Sequence, residues 1–200
     1  MIMNEKREIR NTNYQVTIDE EKRMVEGYAA LFDVVSDGLP FRETIERGSF
    51  EGVLPKSDVF ALLNHDQSRG ILARWKGQPI TLYLEIDSTG LRYTFVAPKT
   101  SLGDELLEYI RRGEVTESSF AFTVEKDEWR KGEDGIWERT IKQFGEIFDI
   151  SPVYNAAYSQ TSVCMRGKEQ AEKELKQQEE REAAQRLDTY YENINNSFNI

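Results

Sequence analysis

Apolar and polar side chains alternate along much of the chain, and this period of two residues is the strongest constraint on its fold. Such alternation places apolar side chains on one face of a β-strand, whereas a helix needs them every three to four residues. Turn-forming residues separate the alternating segments in pairs, which is the pattern of β-hairpins. The predicted hairpins combine residues 14–18 with 24–32, 80–86 with 91–96, and 115–129 with 136–144.

Two further strands and two helical segments complete the predicted domain. Val59–Asn64 and Glu146–Val153 are short, largely apolar runs, which suit buried strands. A helix is predicted from Ser101, which can cap its first turn, to Gly113, which can adopt the left-handed conformation that ends helices. A shorter helical turn is predicted from Ser49 to Leu54. Many short strands with a few helices indicate a mainly β, α+β fold arranged as a barrel or sandwich.

The composition changes near Arg166. Beyond it, residues 167–188 are dominated by Glu, Gln, Lys, Arg and Ala. These residue types favour a helix, but two leucines are too few to form an apolar seam. We therefore predict an N-terminal arm of residues 1–13, a domain of residues 14–166, and a charged tail of residues 167–200 that is helical or disordered.

The charge balance and the cysteine content exclude several classes of ligand. The chain has 36 acidic and 26 basic residues and a formal net charge of -10, whereas nucleic-acid-binding domains normally carry a basic surface. No apolar run approaches the length needed to span a membrane. Cys164 is the only cysteine and there is one histidine, so the ligands of a typical zinc site are missing. We expect no nucleic acid, membrane, metal or cofactor among its ligands.

His65 is the only histidine of the chain and follows the apolar run Val59–Asn64. Histidine is the side chain that ordinarily changes charge near neutral pH, so a general base, if the protein needs one, is expected at His65. A structural or surface role is the alternative for a single histidine in this position.

Two neighbouring serines occur in the predicted strand of residues 115–129. Side chains alternate between the faces of a strand, so Ser118 shares a face with Phe120 and Phe122, which belong to the core. Ser119 then lies on the opposite face beside the small Ala121. A serine hydroxyl needs an adjacent base to attack a carbonyl, and His65 could act on Ser119 in this way.

A catalytic imidazole also needs a carboxylate that orients it and stabilises its charged form. Asp66 follows His65 directly, but consecutive side chains of an extended segment point apart. Asp149 interrupts an apolar strand, where a carboxylate is not expected without a partner. Glu146 is the nearby alternative, and both remain candidates.

Five segments occur along the chain in an order that defines a resemblance to a known family. They are Glu26–Phe32, Glu43–Phe50, Leu63–Asp66, Ser119–Phe122 and Asp149–Val153. In sequence and order these segments resemble motifs of the caudovirus prohead protease family, the phage capsid maturation proteases. The resemblance extends from about residue 25 to residue 166 and marks residues 14–166 as a serine protease domain.

The resemblance implies roles for three residues. The family's catalytic histidine corresponds to His65 and its nucleophile to Ser119, while the third catalytic member corresponds to Asp149. Three features depart from the family pattern. Ala121 replaces a usual glycine, Asp149 stands where glutamate is common, and Asn155-Ala156-Ala157 replaces a usual Pro-Ala pair.

The family also implies a fold, a substrate and a location. The expected fold is a β-barrel flanked by helices, similar to the herpesvirus assembly proteases. The expected function is a serine endopeptidase that cleaves a scaffold protein or the scaffold segment of the major capsid protein, and also its own chain. The expected location is inside the immature capsid, or prohead, in the host cytoplasm. Self-association is left open. The alternatives are an inactive structural assembly protein and a hydrolase that acts on esters.

Overall fold

The computed structural model describes residues 7–36, 38–154 and 162–198. Within these ranges the chain forms ten β-strands, two α-helices and a short 3-10 helix at Gln67–Arg69. The helices are α1 (Ser101–Arg111) and α2 (Ser162–Phe198). The strands are β1 (Glu8–Thr12), β2 (Thr17–Asp19), β3 (Met24–Leu31), β4 (Arg42–Ile45), β5 (Phe60–Ala61), β6 (Ala73–Arg74), β7 (Leu82–Ile86), β8 (Gly90–Val96), β9 (Glu117–Lys131) and β10 (Trp137–Val153).

The strands form two open sheets. One sheet has six strands in the order β1-β9-β10-β5-β6, with β4 pairing separately with β10, and the other has four strands in the order β2-β3-β8-β7. The mainly β, α+β class is therefore confirmed. The expected closed barrel is wrong for the described residues, because both sheets have free edges. The edge strands are β1 and the two-residue β6 in one sheet, and β2 and β7 in the other.

All three predicted hairpins are present as antiparallel pairs. They are β2 with β3, β7 with β8, and β9 with β10. The predicted separate strand Glu146–Val153 is instead the second half of the 17-residue β10. The β9–β10 pairing shifts register at several points, including between Phe144 and Glu146, and these irregularities interrupt the alternation that marks one continuous strand.

The predicted strand at Val59–Asn64 is only partly regular. Phe60–Ala61 form β5, which runs parallel to β10. The next residues still follow β10, since the Leu62 amide donates to the Ile150 carbonyl and the Asn64 amide to the Pro152 carbonyl, both at 3.0 Å. This segment therefore leads the chain along β10 to His65.

Helix α1 lies close to its predicted position, but its cap differs. Thr100, rather than Ser101, is the N-cap, and its side chain accepts a hydrogen bond from the Gly103 amide at 3.3 Å. Asp104 pairs with Arg23 across the fold at 2.7 Å. The expected helical turn at Ser49–Leu54 is a series of turns rather than a helix.

The chain divides into two compact units, Met1–Val163 and Cys164–Ile200. The second unit contains most of α2, whose described side chains between residues 168 and 189 are mostly exposed. No helix of the described residues is long and apolar enough to cross a membrane.

The core beneath the six-stranded sheet is built on the apolar face of β9. Phe120 and Phe122 are fully buried and stack with ring centroids 4.5 Å apart. Phe144 of β10 packs edge-on against both rings, and Phe50 stacks on Phe144 at 4.4 Å. The predicted core face of the serine strand is thus occupied by an aromatic cluster.

Strand β1, in the region predicted as an arm, is held in the sheet by buried charges. Arg10 donates to Glu43 of β4 at 2.6 and 2.8 Å and to Glu8 at 2.6 Å. Arg139 of β10 binds the same two carboxylates at 2.7 to 2.9 Å. We call these four side chains the buried ion cluster. Because its charges neutralise one another, a polar strand that lacks an apolar run can lie inside the fold.

Candidate active site

The candidate nucleophile lies on a sheet face that three strands share. Ser119 of β9 is paired with Ser151 of β10 on one side and with Asn11 of β1 on the other. Asp149 of β10 is paired with Ala121 of β9. Since residues two apart on a strand share a face, Ser119, Ala121, Asp149 and Ser151 lie together on the side opposite the aromatic cluster.

An unusual backbone brings His65 to this face. Asn64 and His65 both adopt the left-handed conformation, with φ angles of 54° and 60°. Non-glycine residues in this region cost free energy and persist where surrounding contacts fix them. The chain turns here after following β10, and the imidazole points back onto the sheet.

The three predicted side chains form one hydrogen-bonded chain. The Nε2 atom of His65 lies 2.7 Å from the Oγ atom of Ser119. The Nδ1 atom of His65 lies 2.5 Å from the Oδ1 atom of Asp149. His65 keeps 17% of its side chain exposed, whereas Asp149 is 2% exposed and Ser119 is fully buried. Residues separated by 54 and 84 positions are thus brought into contact.

The Ser119 hydroxyl has a second possible acceptor. Its oxygen lies 2.9 Å from the carbonyl oxygen of Arg10 on β1. One hydroxyl proton can be donated to the Arg10 carbonyl or to His65 Nε2, but not to both. Only the second arrangement lets the imidazole remove the proton. Because Ser119 is fully buried, the groups that cover its oxygen must move before a carbonyl can reach it.

Among the described residues, the hydrogen-bond partners of the His65 imidazole include Asp149 but neither Asp66 nor Glu146. Asp66 caps the 3-10 helix, and its side chain accepts hydrogen bonds from the amide and the hydroxyl of Ser68. The hydrogen bond from the Ser68 hydroxyl holds the pKa of Asp66 below its usual value. Glu146 is exposed. Of the two candidates that the strand pattern left open, Asp149 is therefore the one beside the imidazole.

Two partners of Asp149 were not predicted. The Ser151 hydroxyl donates to Asp149 Oδ1 at 2.9 Å, and the Arg7 guanidinium forms an ion pair with Asp149 Oδ2. Ser151 could have been found from its position two residues after Asp149 on one strand. Nothing in the sequence around Arg7 indicates the contact, because it depends on where β1 enters the sheet.

Ser118 has a separate role on the opposite face. Its hydroxyl is hydrogen-bonded to the Tyr93 hydroxyl at 2.8 Å, and both residues are fully buried. Burial raises the pKa of Tyr93 well above its usual value, although the hydrogen bond with Ser118 partly opposes this. The phenol is therefore neutral, and Ser118 belongs to the core as its face predicts.

The described residues include no group of three or more histidine, cysteine, aspartate or glutamate side chains placed to hold a metal ion. What they do bring together is a hydroxyl, an imidazole and a carboxylate in line. In this order the carboxylate can orient the imidazole and the imidazole can accept the hydroxyl proton. Such an arrangement is typical of the class of serine hydrolases.

Comparison with known proteins identifies the family. A family model described as caudovirus prohead serine protease matches residues 12–177. The chain belongs to this family and is a phage prohead protease. Among solved structures it is similar to the bacteriophage T4 capsid assembly protease, gp21, with 12% sequence identity, a TM-score of 0.48, and coverage of 75% of this chain and 98% of that chain. A comparison with curated proteins finds no significant match.

Proposed function

We propose that the protein is a serine endopeptidase in which Ser119 is the nucleophile, His65 the general base and Asp149 the orienting carboxylate. One observation carries the proposal: the His65 imidazole lies within hydrogen-bond distance of Ser119 on one ring nitrogen and of Asp149 on the other. A nucleophile and base at this separation, with a third group on the base, form the arrangement that nucleophilic acyl transfer requires.

The first half of the reaction forms an acyl-enzyme. His65 Nε2 takes the Ser119 proton as the hydroxyl oxygen attacks the scissile carbonyl carbon, and backbone amides stabilise the tetrahedral oxyanion. The imidazolium then gives that proton to the leaving amine as the peptide C–N bond breaks. Asp149 stabilises the positive charge on His65 during this step.

The second half releases the enzyme. Water loses a proton to His65 as it attacks the acyl carbon, and His65 returns the proton to the Ser119 oxygen as the ester bond breaks. The products are a carboxylic acid and an amine, and the three side chains regain their starting protonation states.

The family supports a substrate and a location. A prohead protease has capsid and scaffold proteins as its natural substrates, and we place its activity inside the immature capsid in the host cell. Within this proposal the enzyme cleaves a scaffold protein or the scaffold segment of the major capsid protein, and then its own chain. The contact between His65 and Ser119 supports an active enzyme over the inactive assembly protein. Cleavage of a protein substrate would separate the protease from an esterase.

Replacing the nucleophile tests the proposal. Ser119→Ala should reduce kcat for cleavage of purified scaffold or capsid protein by about 10⁵-fold, because no hydroxyl remains to be acylated. Gel electrophoresis and mass spectrometry would report the cleavage products. A fluorophosphonate should label the wild-type chain at Ser119 and leave Ser119→Ala unlabelled.

Ser118→Ala is the matched control. It removes an equally buried hydroxyl from the neighbouring position, but one that binds Tyr93 rather than His65. This variant should keep cleavage activity of the same order as the wild type. Turnover by purified Ser119→Ala at the wild-type rate would overturn the assignment of the nucleophile.

A further inference from the structure

Ser151 lies at the centre of the polar contacts around His65. It is fully buried on β10, directly opposite Ser119 of β9. Its position two residues after Asp149 places both side chains on the same face of β10. The catalytic steps proposed above do not use its hydroxyl.

The Ser151 oxygen touches both the backbone and the side chains that define the site. Its hydroxyl donates to Asp149 Oδ1 at 2.9 Å. The same oxygen accepts a hydrogen bond from the His65 amide at 3.2 Å and lies 3.3 Å from His65 Nδ1. One atom therefore contacts the base in two places and the orienting carboxylate in a third.

The amide contact bears on the left-handed backbone of His65. A φ angle of 60° is uncommon for a residue with a side chain and needs external contacts to persist. The Asn64 amide binds the Pro152 carbonyl, and the His65 amide binds Ser151 Oγ. These two consecutive hydrogen bonds attach the turn to β10 and set the direction of the imidazole.

The hydrogen-bond donors and acceptors around Nδ1 also favour one tautomer of the neutral imidazole. Ser151 has one hydroxyl proton, and the geometry gives it to Asp149, so towards His65 it offers lone pairs only. The Asp149 carboxylate likewise only accepts. With two acceptors beside it, Nδ1 carries the proton in the neutral ring. Nε2 is then unprotonated, and its lone pair faces Ser119.

We propose that Ser151 is a positioning residue of the active site. It fixes the His65 backbone and holds the Asp149 carboxylate against Nδ1, so that the neutral imidazole presents an unprotonated Nε2 to Ser119. The inference rests on the proposed function for its effect on catalysis, whereas its effect on the imidazole can be measured without substrate.

The single histidine makes a direct test possible. In a ¹⁵N-labelled full-length chain, His65 gives the only imidazole signals, so the chemical shifts of Nδ1 and Nε2 report its tautomer without assignment by mutation. The wild type should show a protonated Nδ1 and an unprotonated Nε2 when neutral. In Ser151→Ala the two shifts should move towards the values of a mixture of tautomers, and kcat for the scaffold or capsid substrate should fall by about 10- to 100-fold with KM little changed.

Ser57→Ala is the matched control. Ser57 is also fully buried and binds two backbone groups, the Ile147 amide of β10 and the Val53 carbonyl, both at 3.0 Å. Its loss should leave the His65 signals and kcat close to those of the wild type. Ser151→Thr, which retains the hydroxyl, should restore the wild-type tautomer, and Ser151→Cys provides a nearly isosteric replacement if the alanine variant does not fold.

The outcomes separate the inference from the proposed function. Wild-type His65 shifts and wild-type kcat in Ser151→Ala would overturn the role of Ser151. An equal fall of kcat in Ser151→Ala and Ser57→Ala, with unchanged shifts in both, would also overturn it, because the effect would then be structural. If Ser119→Ala remained active, the proposed function would fail, but a tautomer change in Ser151→Ala would still support the positioning of the imidazole.

Discussion

At the scale of single residues, the two candidate carboxylates for orienting His65 are only three residues apart on β10. Glu146 and Asp149 would lie on opposite faces of a regular strand, yet the register of β10 shifts between Ile147 and Asp149. Alternation alone therefore does not identify the partner. The structure places Asp149 at 2.5 Å from His65 Nδ1 and leaves Glu146 exposed.

Neutralising Asp149 should have a large effect on the reaction. In Asp149→Asn the amide can donate to Nδ1, which favours the wrong tautomer, and the charge that stabilises the imidazolium is lost. We expect kcat to fall by about 10³- to 10⁴-fold. The measurement is cleavage of purified scaffold or capsid protein by full-length chains of equal folded content.

Glu146→Gln is the control for this prediction. It removes the exposed carboxylate that lies closest to Asp149 in the sequence, and kcat should stay near the wild-type value. A larger loss in Glu146→Gln than in Asp149→Asn would show that the orienting carboxylate had been assigned to the wrong residue.

At the scale of secondary-structure elements, β1 depends on charge rather than on apolar burial. The buried ion cluster connects β1, β4 and β10 through Glu8, Arg10, Glu43 and Arg139. Removing one member of such a cluster leaves a buried charge without compensation, which costs more than the intact pairs contribute. Strand β1 also places the Arg10 carbonyl against Ser119, so the cluster supports the surroundings of the nucleophile.

Glu43→Gln should therefore lower the free energy of unfolding by about 3 kcal/mol. Glutamine keeps the shape of the side chain, but Arg10 and Arg139 lose a shared negative charge. Urea denaturation followed by circular dichroism would measure the change.

Glu46→Gln is matched to this variant in chemistry but not in burial. Glu46 pairs with Lys142 at the surface, and a surface ion pair contributes at most about 1 kcal/mol. Equal effects of the two substitutions would contradict the importance of the buried ion cluster.

At the scale of the whole molecule, the buried carboxylate of Glu8 makes stability depend on pH. Burial alone raises the pKa of Glu8, but the hydrogen bond and charge of Arg139, together with the charge of Arg10, outweigh it and hold this pKa below its usual value. A carboxyl group whose pKa is depressed by folding contributes stability above its unfolded pKa. That contribution is lost as the pH falls through the folded pKa.

The free energy of unfolding should therefore decrease as the pH is lowered below about 4.3, the usual value for glutamate. Glu8→Gln should be less stable than the wild type at pH 7, and its stability should depend less steeply on pH in the acidic range. Glu85→Gln, whose side chain is 65% exposed, should retain the wild-type slope. Urea titrations at a series of pH values would compare the three chains, and an unchanged slope in Glu8→Gln would count against this account.

Features of this protein that depend on neighbours in the chain could be predicted from the amino-acid sequence. Hairpin partners are close in sequence, so alternation and turn residues were enough to predict β2–β3, β7–β8 and β9–β10. Strand periodicity also assigned Ser118 to the core and Ser119 to the other face. The single histidine left one candidate for the base.

Contacts between distant segments became visible in the tertiary structure. Strand β1, the open sheets in place of a barrel, and the group of Asp149, Ser151 and Arg7 around His65 all depend on pairings across long stretches of chain. Periodicity shows which face a side chain occupies, but not which strand lies beside it. The strand pattern indicated that the Asp149 carboxylate needs a partner, and the family resemblance implied that this partner is His65. The register of β10 against the segment that leads to His65 is what brings the two side chains together.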